Sequence, residues 1–451
     1  MATARAATRI EEVVRRISDT LNSGWTSRLL AVLIATTLLA VPPPSRAGAA
    51  QPTSSQFCNN NGGGTQGSND TCYGNQALAN QTAVNYSTAV GAFAMNENAT
   101  GSNNTAVGFS ALEFNTTGSV NTGLGYLALY ENYAGSSDTA LGATAMDANR
   151  TGYQNTATGV AALEGYLCHT CDGYNNTASG FDALFSNDTG RDNTAAGVQA
   201  LSNNTVGNDN TATGPYALSG NLTGNENTAA GLNALASNSS GSDNTATGTG
   251  AMYANTAGGD NTADGYNALN STTANNNAAL GAQALQSDTT GYGNTGTGVG
   301  ALQLTTTGNY NTAVGVDAGV SGNSNNANIT GSQDTFLGDY AGPGTSTQLS
   351  NATAIGANAV VSESNALVLG AAATSVGIGT ATPQSLLQVG TSGSSYGSYV
   401  QIPEVSSGSA PPSSDCNTST LTGRMVLQFN PSKGTLTLYG CTASGKWVVT
   451  K

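Results

Sequence analysis

One phrase, Asn-Thr-Ala-x-Gly-x-x-Ala-Leu, returns along this chain from residue 70 onward with a nearly fixed step. Its central glycines are Gly74, Gly91, Gly108, Gly125, Gly142, Gly159, Gly180, Gly197, Gly214, Gly231, Gly248, Gly265, Gly281, Gly298 and Gly315. The step is 17 residues except at two places: 21 from Gly159 to Gly180, and 16 from Gly265 to Gly281. Looser copies follow at Gly338, Gly356 and Gly370. A short unit repeated at fixed period cannot bury its own apolar face, so it must stack on its neighbours. The period therefore predicts a solenoid.

The residues within each unit say what kind. Three places after the glycine stands Ala in all 18 copies, from Ala77 to Ala373, a site that accepts only a methyl group. The next place is Leu or Met in the first 14 copies, beginning Leu78, Met95, Leu112, and should form an apolar file along the axis. Three places before the glycine is Thr in 16 of 18 copies, preceded by Asn or Asp in 15. Asn and Asp suit turns and stacked side-chain ladders, and the glycine allows a bend or a close backbone approach. Helix is disfavoured because Gly, Asn and Thr recur inside every unit. The expected fold is all-β: a parallel β-solenoid of about 18 coils, each with two short strands, "NTAxG" and "xxAL". With 8% charged and 6% aromatic residues, such a coil has a thin core. It should hold one Leu or Met, two Ala and a variable site such as Val107, Leu124 or Thr158. Stability must then come from summed contacts between neighbours, and from association between chains.

The phrases "NTAVGFSAL", "NTAVGVDAG" and "NATAIGANAVV" resemble the head repeats of YadA-like trimeric autotransporter adhesins over about residues 70–375. That resemblance implies a left-handed β-roll and a homotrimer. The chain departs from the family in its longer period and in lacking heptads or a recognisable barrel anchor after residue 380. Residues 375–390, "SVGIGTATPQSLLQVG", resemble the transition segment before the tips of phage tail fibres.

The flanks are different. Residues 1–49 read as a secretory signal peptide: a basic stretch with Arg5, Arg9, Arg15, Arg16 and Arg28, an apolar run over 29–41, three prolines and Ala47-Gly48-Ala49. Thirteen apolar residues are too few to span a bilayer as a helix. Residues 50–69 form a cap or linker, 70–322 the regular repeats, 323–380 degenerate repeats and the transition, and 381–415 a linker. Residues 416–451 read as a small β-rich module carrying Trp447. All six cysteines lie beyond the cleavage point, and an even count in an exported chain favours disulfides. The neighbour pairing is Cys58–Cys72, Cys168–Cys171 and Cys416–Cys441.

Cys168-His169-Thr170-Cys171 is the motif with most chemical flavour. It could be redox-active or ligate a metal. It also falls in the extra residues of the 21-residue step, where a clipped loop explains it better. Acids such as Asp70, Asp138, Asp188, Asp192, Asp209, Asp243, Asp260 and Asp334 read as solvated turn residues. Triplets of the Asn-x-Ser/Thr type, at Asn80 and Asn98 for example, follow from the repeat itself. No catalytic, metal or cofactor site is expected. Beyond residue 50 the chain holds 6 basic and 23 acidic residues, which argues against nucleic acid as a partner. The expected function is a secreted or cell-surface adhesin-like fibre that binds a protein or glycan. Alternatives are a structural, tail-fibre-like shaft and an ice-binding solenoid.

Overall fold

The computed structural model describes residues 70–82, 86–165, 172–389, 404–405, 425–430, 435–442 and 446–449. Eighteen strands of three residues each, from Thr71–Tyr73 to Leu367–Leu369, lie in one parallel sheet. About 17 turns of chain link them, each adding one coil. Register is strict: Thr105 pairs with Thr122, Ala106 with Gly123 and Val107 with Leu124, and the pattern repeats from coil to coil. At a strand spacing of ~4.8 Å the sheet rises roughly 80 Å. The chain is thus a parallel β-solenoid.

Each coil bonds to both neighbours. The Thr105 N–H donates to the Asn121 carbonyl of the next coil (2.8 Å), and the Gly108 N–H to the Val90 carbonyl of the previous one (2.8 Å). The core is a column of methyls and one larger file. The middle strand residue (Ala89, Ala106, Ala140 and onward) and the Ala after the glycine are buried, as are Met95, Leu112, Leu129 and their successors through Leu302.

One local expectation is overturned. The "xxAL" segment is not a second strand but a turn in which alternate residues take left-handed backbone. Ser110 (φ 54°) and Leu112 (φ 53°) show the pattern, and Leu201 and Leu218 (both φ 52°) repeat it. A non-glycine residue in that region costs about 1–2 kcal/mol. The alternation points successive N–H groups in opposite axial directions: Ser110 donates back to Ala92 (2.9 Å) and Leu112 forward to Ala128 (3.0 Å). Those bonds, with burial of the Leu, offset the strain.

The variable site is also misplaced by the sequence reading. Val107, Leu124 and Thr158 are outward-facing and exposed, because the two-residue period of the strand turns only its central Ala inward.

Irregular steps leave the sheet undisturbed. Thr156–Thr158 pairs directly with Thr177–Ser179 across the 21-residue step, and Thr262–Asp264 with Ala278–Leu280 across the 16-residue one. Between Gly315 and Gly338 a longer coil carries a short 3-10 helix, Ser324–Asn326. Here Phe336 replaces the inward Ala and Gly319 replaces the Leu, so one large ring fills the space of a missing side chain. A Cβ on Gly319 would come within 2.6 Å of Leu302 and 3.4 Å of Phe336. After the solenoid, Val376–Ile378 pairs with Leu387–Val389. A further sheet contains Glu404–Val405, Met425–Asn430, Thr435–Cys441 and Trp447–Val449. No helix among the described residues is long and apolar enough to cross a membrane.

Candidate functional site

Two internal ladders of carboxamides hold the outer surface in place. The first is built from the residue before each Thr. The Asn121 N–H donates to Asn104 Oδ1 (2.9 Å), and Asn121 Nδ2 donates to the Gly135 carbonyl (2.8 Å). The second runs through Asn98, Asn115 and Asn132: Asn115 Nδ2 donates to Asn98 Oδ1 (2.7 Å) and to the Gly118 carbonyl (2.9 Å). Both ladders are buried, so every amide group must find a partner. Repetition supplies the partners along both ladders, except at the Asn328 carboxamide, which has none.

The repeat glycines are the third constraint. Gly108 has φ +142°, and a Cβ there would stand 2.2 Å from the Gly125 carbonyl oxygen. Coils touch backbone to backbone along this column. Gly118 belongs to a second column, where a Cβ would meet the Gly135 carbonyl at 2.2 Å and the amide ladder on either side.

With the interior committed to stacking, three exterior files of side chains reach the surface among the described residues. The first consists of the strand threonines, unbroken over twelve coils from Thr71 to Thr262 and exposed to a varying degree. The second flanks the glycine and is largely apolar: Val107, Phe109, Leu124, Tyr126, Leu141 and Val160 are all exposed near one end, and Leu280, Val299, Val314, Val316, Ile355 and Leu369 near the other. Phe93 meets Phe109 edge-to-face (centroids 5.8 Å apart), and Phe109 stacks on Tyr126 (5.7 Å). The third is acidic. Asp192, Asp209, Glu226, Asp243 and Asp260 occupy the same exposed, left-handed position on five successive coils.

No protein-family model and no curated protein matches this chain. Its function is therefore argued from these surfaces.

The residues singled out in the sequence separate into groups. The repeat glycines form the column just described. Cys72 is buried and, among the described residues, no cysteine is a free thiol. Cys441 ends a strand. Cys58, Cys168, His169, Cys171 and Cys416 lie outside the described residues, as does the signal-peptide segment. Asp192, Asp209, Asp243 and Asp260 are exposed as expected. Asp138 and Asp334 are not: both are fully buried rungs of the first ladder, where a carboxyl stands in for an amide. Asp288, buried in the second ladder, does the same. Asn98 is buried and donates to the Gly101 carbonyl (2.9 Å), so its triplet is no glycan acceptor in the folded coil.

Burial pushes the Asp138 and Asp288 carboxyls up to about 7 and that of Asp334 up to about 6. Asp147 rises to about 7 as well, from burial and then from the charge of Glu131 on the preceding coil, which Arg150 meets at 3.3 Å. No group of three or more His, Cys, Asp or Glu able to hold a metal occurs among the described residues. The sequence reading missed the second amide ladder and the second glycine column. Asn seven places after the repeat glycine, followed three residues later by Gly, was the available sign.

Proposed function

We propose that this chain is a secreted or cell-surface, adhesin-like fibre protein without catalytic activity. Three copies assemble as a homotrimer of left-handed β-rolls, and the rod surface or tip binds a protein or glycan. One observation carries the reading: apolar side chains are displayed outward on coil after coil, beside a core that is already complete. Scattered exposed apolar residues are ordinary, but a file of them in register along a sheet favours a partner surface. A second copy of the chain presents the same file at the same spacing. The neighbour-paired disulfides and a C-terminal module at the end of the rod belong to the same reading.

The test has two arms. Light scattering on protein beginning near residue 50 is expected to give three chains, and charged substitutions at Leu124 and Leu141 to give one. Surface labelling of producing cells is expected to detect the rod, and deletion of the coils to abolish attachment to a surface or neighbouring cell. A monomer at micromolar concentration defeats the trimer; undiminished attachment defeats the adhesin.

The threonine file favours one second reading. Across Thr156–Thr158 to Thr245–Thr247 the outward strand face carries Thr beside Thr, Ser or Ala, and none of these hydroxyls bonds within the chain among the described residues. The files repeat at ~4.8 Å along the axis and ~6.6 Å across the strand, a regular hydroxyl-methyl array of the kind that orders water. Thermal hysteresis in freezing assays would support an ice-binding rod, and its absence leaves the fibre.

A further inference from the structure

At Asn255, the second-ladder Asn that precedes Thr272 rather than another Asn, Oδ1 accepts the Gly258 N–H (3.0 Å) while Nδ2 donates to the Gly258 carbonyl (2.9 Å). Asp288 keeps the first bond, accepting the Gly291 N–H at 2.9 Å, but puts Oδ2 where a donor belongs. That oxygen is buried without a hydrogen-bond partner. The first ladder repeats the situation. Asp334 Oδ1 accepts the Ala352 N–H (2.8 Å), and Oδ2 is buried and unpartnered beside the equally unpartnered Asn328 carboxamide. Asp138 Oδ1 accepts the Asn155 N–H (2.8 Å), and its Oδ2 receives Asn149 Nδ2 (2.9 Å).

We propose that Asp138, Asp288 and Asp334 are proton-holding rungs: Asp288 and Asp334 keep an Oδ2–H in place of the amide donor, and Asp138 keeps its proton in the same dry column, so that the rod tightens in mild acid and loosens as pH rises. An ionised carboxylate would leave the Oδ2 of Asp288 and Asp334 without a donor, and at all three rungs would leave a charge unpaired in a dry column. The surroundings supply no counter-charge. Asp138 is faced by Asn121, Asn149 and Asn155, Asp288 by Gly291, Asn294 and the rungs Thr272 and Thr305, and Asp334 by Asn311, Asn328 and Ala352. No charged side chain contributes to the environment of any of the three. Desolvation raises their titration to the neutral range, as given above.

The direction follows from linkage. Below about pH 4 the folded and unfolded chains both carry these protons, and folding is indifferent to pH. Between about pH 4 and the raised folded values, only the folded chain holds them. Stability therefore falls across that window as pH rises, and levels off above about 7. Each such rung lowers the folding constant about tenfold per pH unit within the window. Ordinary salt-bridged carboxylates act in the opposite sense. The device operates whatever the rod binds.

The test compares the full-length protein with D138N/D288N/D334N. Asn is the ladder's own residue, so the variant is expected to fold with equal or higher melting temperature at pH 7.5. It should lose the part of the wild-type rise in stability between pH 7 and pH 4 that these rungs supply. Infrared spectra at pH 5.5, where ordinary carboxyls are ionised, are expected to show a protonated-carboxyl band in the wild type that the variant lacks. Parallel pH profiles, a variant that fails to fold, or no such band in the wild type would each overturn the proposal.

Discussion

At the scale of single residues, this protein places chemically similar side chains in opposite settings by their position in the coil. Ala200 is fully buried, whereas Ser240 is exposed in the connecting turn. Leu at position 200 should overpack a methyl-sized space and cost ~1–3 kcal/mol, and Leu at 240 should be nearly neutral. Chemical denaturation of the two variants checks this; equal midpoints would contradict the closed-column packing. Ser202 would be a poor control, since it is 9% exposed rather than a solvent-facing turn residue. The amide ladder makes a second expectation. Asn221 Nδ2 donates to Asn204 Oδ1 (2.8 Å) and to the Gly224 carbonyl (3.0 Å). Asn221→Ala strips buried Asn204 Oδ1 of its donor, while the Gly224 carbonyl keeps its bond from Asn210 Nδ2 (2.9 Å), and should cost about 1–3 kcal/mol. A loss under 0.5 kcal/mol in urea unfolding would show that the ladder is ornamental.

At the scale of the element, a coil is a strand, an alternating turn and a polar link, and only some of this was legible beforehand. The stacking axis followed from the period, and the inward files followed from the invariant Ala and Leu. The alternating turn did not, because Leu112, Ser110 and Met95 carry no preference for left-handed backbone. It is their neighbours' carbonyls that select it. The burial of Asp138 and Asp334 was hidden for a different reason: acids are ordinarily solvated, and only their place in a file of Asn shows otherwise. The exposed acids have a collective effect. Asp192, Asp209, Glu226, Asp243 and Asp260 repeat at ~4.8 Å, well inside the ~10 Å Debye length at 0.1 M salt. Arg150 and Arg191 are the only cationic side chains between residues 70 and 389, apart from His169 when it is protonated. Sodium chloride should therefore raise the melting temperature at pH 7.5, and Glu226→Gln, at the centre of the file, should weaken that dependence. An unchanged salt response would show that the repulsion is immaterial.

At the scale of the whole molecule, the stack is held by bonds that run along its axis, one coil to the next, in parallel register from Thr71–Tyr73 to Leu367–Leu369. Stability in such an array is a sum of neighbour terms. That arrangement has a mechanical consequence. A pull applied at the two ends loads the inter-coil bonds in series along their own direction, so they open one after another, as a zipper does. Each coil released pays out 17 residues of chain, about 56–61 Å when extended at ~3.3–3.6 Å per residue, in exchange for ~4.8 Å of folded rise. Single-molecule stretching should show a train of small, nearly equal extensions of roughly 50–55 Å, with longer ones at the 21- and 23-residue coils. A tether of this kind yields by lengthening long before it breaks, and spreads a sudden load over many coils.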